Sequence, residues 1–133
     1  MAYLIAYIAA LVIFGVIDIL WLTMVGAKLF RDTLGDVLAQ DVRMAPAIAF
    51  YLLYPLGVVF FAIAPALRDA SVTTALLNGA MFGLMTYATY DLTNYATVRN
   101  WTLNLTVIDL SYGAGLTAAT ALLGYWITRW FTA

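Results

Sequence analysis

Four long apolar stretches, at about residues 3–24, 46–67, 72–95 and 104–131, constrain this chain more than anything else in it. Each reaches the roughly 20 residues that a helix needs to cross a ~30 Å hydrocarbon core. Lipid offers no hydrogen-bond partners to the backbone, so only helices and closed barrels span it, and no stretch here alternates with the period of two that a barrel strand requires. The expected fold is therefore all-α: one integral membrane domain over residues 1–133, built as a four-transmembrane-helix bundle. Composition agrees. The chain is 65% hydrophobic and 10% charged, with a mean hydropathy of +0.96, whereas soluble domains are roughly half apolar and a quarter charged.

The first stretch is not expected to be a cleaved leader. Val25-Gly26-Ala27 loosely fits a cleavage site, but no basic segment precedes the apolar run, the run is too long, and Asp18 interrupts it.

Missing residue types prune the chemistry. Without Cys there is no disulfide, thiolate nucleophile or iron–sulfur cluster, and without His there is no Ser-His triad, no usual haem ligand and little basis for zinc. The single lysine, Lys28, falls at a helix end, which argues against a Schiff base to a buried chromophore. A net charge of −1 excludes nucleic-acid binding through a basic face. Carboxylate, amide, phenol, indole and hydroxyl groups remain, a set suited to protons, polar head groups and hard cations, with Mg²⁺ and Ca²⁺ left open as ligands. Whether the chain is an enzyme is not decided by its sequence.

The connections differ in character. Residues 68–71 read as a tight hairpin and residues 98–103 as a second short link. In the first connection, from Lys28 to Met44, the apolar Phe30, Leu34, Val37, Leu38 and Val42 recur at helical spacing, and Arg31, Asp32, Asp36, Gln40 and Arg43 face elsewhere. This predicts an amphipathic interfacial helix between the first and second spans, lying in the membrane plane or covering the bundle end. Lys28, Arg31, Arg43 and Arg99 share one side of the membrane, against Arg68 and Arg129 on the other. That balance favours cytoplasmic first and third connections and external termini. Ala75, Gly79 and Gly83 form a small-residue ridge, suited to packing within the bundle or to a homo-oligomer; Ala62 with Ala66, and Gly113 with Gly115, offer further close-approach surfaces.

Three aspartates interrupt the apolar stretches. Asp18 is late in the first span, Asp91 late in the third and Asp109 early in the fourth, so the up-and-down topology brings all three to the same half of the bilayer. Tyr51 and Tyr54 fall in that half of the second span. A carboxyl in hydrocarbon costs at least about 2.5 kcal/mol and normally marks a site or a polar partner. Helical spacing sets Tyr87, Asp91, Asn94 and Tyr95 on one face, and Thr106, Asp109, Tyr112 and Gly113 on another. The carboxyls have four available states: hydrogen-bonded structural donors, ligands of a hard cation, partners of Arg99 or Arg43 reaching in from the interface, or carriers of exchangeable protons. Asp91-Leu-Thr-Asn94 is similar to one Asp-x-x-Asp motif of the prenyltransferases that bind magnesium diphosphate, but the paired second motif is missing.

The segments Thr89-Tyr-Asp-Leu-Thr-Asn-Tyr-Ala-Thr97, Trp101 and Val107-Ile-Asp-Leu-Ser-Tyr-Gly113, with the earlier Asp18-x-x-Trp21, resemble a family of small four-span bacterial membrane proteins catalogued only as a domain of unknown function. The resemblance implies a bacterial inner-membrane protein and puts Asp18, Asp91, Asn94, Trp101 and Asp109 in the family pattern. It implies no activity, substrate or cofactor. Taken together, the sequence leads us to expect a polar pocket in one leaflet that binds or processes a lipid or other amphipathic small molecule. Asp18, Asp91 and Asp109 would supply charge or hold a hard cation, Asn94 would orient the ligand, Arg99 would meet an anionic head group, and Trp21, Tyr87, Trp101 and Tyr112 would form walls. An oligomeric transporter or ion-conducting subunit and a purely structural role are the alternatives.

Overall fold

In the computed structural model, which describes all 133 residues, the chain is helical almost throughout and has no strand. Helix α1 (Ala2–Trp21) passes through a π-helical turn, Leu22–Gly26, directly into α2 (Ala27–Leu34). Helix α3 (Met44–Val58) continues through a second π turn, Val59–Ile63, into α4 (Ala64–Asp69). The long helices α5 (Val72–Thr97) and α6 (Leu103–Thr132) complete the bundle. Three of these units, Ala2–Val37, Met44–Asp69 and Leu103–Thr132, are long and apolar enough to cross a membrane. With 26 residues α5 is also long enough, but Asn78, Asp91, Asn94 and its threonines make it more polar, and it packs along α6 over most of its length.

Local signals set the helix ends. Ser71 and Thr102 cap α5 and α6 by accepting the backbone N–H of Thr74 and Leu105, each at 3.1 Å. Ala70, at φ 49°, ends α4 in the left-handed region. Side chains add hydrogen bonds beside the π turns: the Thr23 hydroxyl donates to the Ile19 carbonyl at 2.9 Å, and the Asn78 amide of α5 donates to the Phe61 carbonyl at 3.1 Å.

The interior follows membrane rules, in which small and polar residues rather than the most apolar ones face inward. Along α1 the buried row is Ala6, Ala10, Phe14 and Asp18, while Leu4, Ile8, Val12 and Val16 are exposed to the surroundings. The α5–α6 hairpin has a regular antiparallel register. Ala75 packs with Tyr125, Gly79 faces Ala121, Gly83 faces Thr117, Tyr87 lies over Gly113, and Asp91 lies against Asp109. A methyl group added at Gly79 would sit 2.8 Å from the Ala121 Cβ, and one at Gly83 would run into the Gly113 carbonyl and Thr117. The Ala75/Gly79/Gly83 ridge is thus consumed inside the protomer and is not a surface for self-association. Gly113 is a close-approach position as expected, but Gly115 faces open space.

The first connection differs from its pattern. Helix continues only to Leu34, with a short 3₁₀ turn at Gly35–Val37, and residues 38–43 are not helical. Gly35, at φ 57°, terminates the helix, a conformation that glycine adopts without strain. The apolar residues beyond it are not gathered on a buried face, and Val37 and Val42 are 58% and 71% exposed. What remains of the amphipathic segment covers the bundle end: Leu34 is buried with Trp101 and Leu105, and Leu29 and Phe30 pack beside them. The Asn100 amide donates to the Leu34 carbonyl at 3.4 Å, fastening this cap to the α5–α6 link.

Candidate functional site

All three intramembrane aspartates are buried, but they do not converge on one point. Asp18 accepts hydrogen bonds from two phenols: Tyr112 of α6 to Oδ1 at 2.8 Å, and Tyr51 of α3 to Oδ2. Asp91 and Asp109 form a second group across the α5–α6 interface. Asp91 is fully buried and receives no hydrogen bond from any donor other than the Asp109 carboxyl, with which it can share a proton. No set of three carboxylates has metal-holding spacing, so Asp18, Asp91 and Asp109 do not assemble the hard-cation centre expected of them. Nor does an arginine reach them. Arg43 and Arg99 are exposed, and the only ion pair, Lys28 with Asp32 at 4.0 Å, lies between exposed side chains.

A cavity of about 490 Å³ occupies this end of the bundle. Its polar wall comes from Asp18, Asp109 and the hydroxyls of Thr86 and Tyr112; Trp21, Tyr54, Tyr87 and Tyr90 supply broad aromatic faces, and Leu22, Phe30 and Phe50 complete the lining. Helices α1, α3, α5 and α6 each contribute, and α2 closes the end through Phe30. The aromatic walls are held by packing. Trp21 stacks on Tyr112 with ring centres 4.0 Å apart and planes 11° from parallel. Gly26 permits this placement, since a Cβ there would come within 2.7 Å of the Trp21 indole nitrogen. Tyr54 is fixed from two sides, its hydroxyl 2.7 Å from Thr117 Oγ1 and 3.0 Å from Thr86 Oγ1.

The cavity reaches the surface of the bundle. Helix α5 packs closely against the π turn Val59–Ile63 and less extensively against α3. Among the lining residues Leu22, Phe50 and Tyr90 are 40%, 42% and 51% exposed.

Of the residues singled out from sequence, Asp18, Trp21, Tyr87, Asp109 and Tyr112 line this cavity together. Asp91 sits behind Asp109 rather than in the wall. Trp101 is buried elsewhere, its indole donating to Thr106 Oγ1 at 2.9 Å and its ring against Phe30 and Tyr90. Asn94 is half-buried and Arg99 exposed, and neither touches the cavity. Phe30, Phe50, Thr86 and Tyr90 were not singled out. Their side chains are ordinary for membrane helices, and only the less extensive packing of α3 against α5 gives them a cavity to face.

A bundle of apolar helices enclosing a polar, aromatic-walled cavity at one end defines an integral membrane protein. The family model for DUF2177, described as a predicted membrane protein, matches residues 3–126. The chain belongs to that family of membrane proteins of unknown function. No curated protein and no solved structure matches it.

Proposed function

We propose that this protein binds an amphipathic small molecule, a lipid or a compound that partitions into lipid, in the cavity between α3 and α5. One observation carries the reading: the cavity lining runs from the half-exposed aromatic rings of Phe50 and Tyr90 to the buried carboxyls of Asp18 and Asp109. A ligand dissolved in the bilayer would enter by its flank and seat its polar end near Asp18 and Asp109. A volume of about 490 Å³ suits a compact molecule or a head group with the start of a chain. In this reading the protein lies in a bacterial inner membrane as a four-span bundle, with its first and third connections cytoplasmic and the cavity in the cytoplasmic leaflet.

A transport path finds less support. In the other half of the bundle the buried Thr120 and Thr128 spend their hydroxyls on carbonyls of their own helix, and no buried charge continues the polar region. The test of binding is photo-crosslinking with a diazirine-tagged phospholipid in reconstituted vesicles. Labelling should concentrate on peptides containing Phe50 and Tyr90, above the level at the outward-facing Met81 and Met85. Even labelling of all lipid-facing segments would contradict the proposal.

A further inference from the structure

Resting on that binding reading, we infer that the ligand brings its own positive charge: the cavity is built for a lipophilic cation, of the ammonium class, rather than for a neutral or anionic amphiphile. Asp18 and Asp109 are in the wall, and Asp91 stands directly behind Asp109. No Lys or Arg lies among the lining residues, and every basic side chain in the chain is exposed. Buried charges are normally paired within the protein or coordinate a cation. Here the protein supplies phenol donors to Asp18, and no basic side chain to any of the three; Asp91 and Asp109 have only each other.

The remaining wall is what a cation seeks in an apolar place. Trp21, Tyr54, Tyr87, Tyr90 and Tyr112 all contribute to the lining, and the negative faces of such rings attract ammonium groups, most strongly where water is excluded. An anionic head group would instead meet two carboxyls with no donor cation beside them, since Arg99, expected from the sequence to meet such a group, is exposed and outside the lining. With Phe50 and Tyr90 half exposed and Asp18 and Asp109 buried, the apolar part of the cation would remain in lipid while its charged end reaches the carboxyls.

Three probes of equal chain length separate this inference from the broader one: decyltrimethylammonium, decanol and decyl sulfate. Each is equilibrated below its micelle concentration with the full-length protein in phosphatidylcholine nanodiscs, with empty nanodiscs as the partition control. The cation should bind saturably at about one per protein, and Asp18→Asn or Asp109→Asn should each weaken it by about tenfold, while a near-ultraviolet dichroism spectrum like the wild type's certifies the fold. If decanol binds as tightly as the cation and ignores both substitutions, or if decyl sulfate binds best, the charge inference is overturned and amphiphile binding stands. If none of the three binds above empty nanodiscs, both fall.

Discussion

Tyr112 donates a hydrogen bond from α6 to the carboxyl of Asp18 on α1, 2.8 Å away and 94 residues distant in sequence, while its ring stacks on Trp21 one turn further along the same helix. One side chain thereby orients both the acid and the largest aromatic wall of the cavity. Tyr51 completes the arrangement from α3, so Asp18 ties together three helices, α1, α3 and α6. Tyr112→Phe keeps the stack and removes one donor. It should lower stability by about 1 kcal/mol, in keeping with interhelical hydrogen bonds in membranes, as read by reversible unfolding in mixed micelles. A loss above about 3 kcal/mol would mean that Tyr51 does not share the load.

Asp18 and Asp91 should respond in opposite directions to the same conservative change. Asp18→Asn replaces an acceptor of two phenols with a group only half acceptor, and should be destabilising by about 1 kcal/mol. Asp91→Asn gives Asp109 a permanent amide donor in place of a proton shared between two carboxyls, and should hold or raise the melting temperature. Paired thermal unfolding curves in one detergent check the signs; a destabilised Asp91→Asn would show that the amide does not replace the carboxyl against Asp109.

Glycines of the α5–α6 hairpin offer a packing test with an internal control. Gly83→Ala drives a methyl into the Gly113 carbonyl and Thr117, between backbones that have no room to part, and should cost about 1–3 kcal/mol. Gly115→Ala meets nothing within 4 Å and lies on the exposed side of α6, so it should be neutral or slightly stabilising through helix propensity. Equal losses at both sites would contradict the register of the hairpin.

The crossing of α5 is tested by topology. The chain has no cysteine, so single substitutions label cleanly. Asp41→Cys and Asn100→Cys should react with an impermeant maleimide from one face of the membrane, and Ala70→Cys from the opposite face only. Reaction of Ala70→Cys and Asn100→Cys from the same face would mean that α5 does not cross.

Much of the pocket was legible because hairpin geometry is simple. Asp91 and Asp109 lie equally far from the centre of the α5–α6 link, and an antiparallel pair must bring such residues together. Asp18 was legible as a neighbour because the end of the first span shares that side. What sequence could not give was the division of labour among the three acids, which depends on rotation of α1 about its axis. In that rotation Asp18 takes two tyrosines, and Asp91 and Asp109 are left to each other. Trp101 shows the opposite limit: its place in a short link beside a polar cluster suggested a pocket wall, yet its ring is spent on fastening α2 to the link. The helical spacing in residues 38–42 was also misleading, since a single glycine at position 35 ends the helix before that pattern can be used.

Native mass spectrometry of the wild type beside Asp18→Asn and Asp109→Asn, each released from its own membranes in mild detergent, tests amphiphile binding in this cavity most directly. The wild type should carry a small-molecule adduct at about one per chain, absent or strongly depleted in both variants while their folded charge-state distributions are unchanged. A wild type that carries nothing, or variants that retain the same adduct at the same occupancy, would contradict it.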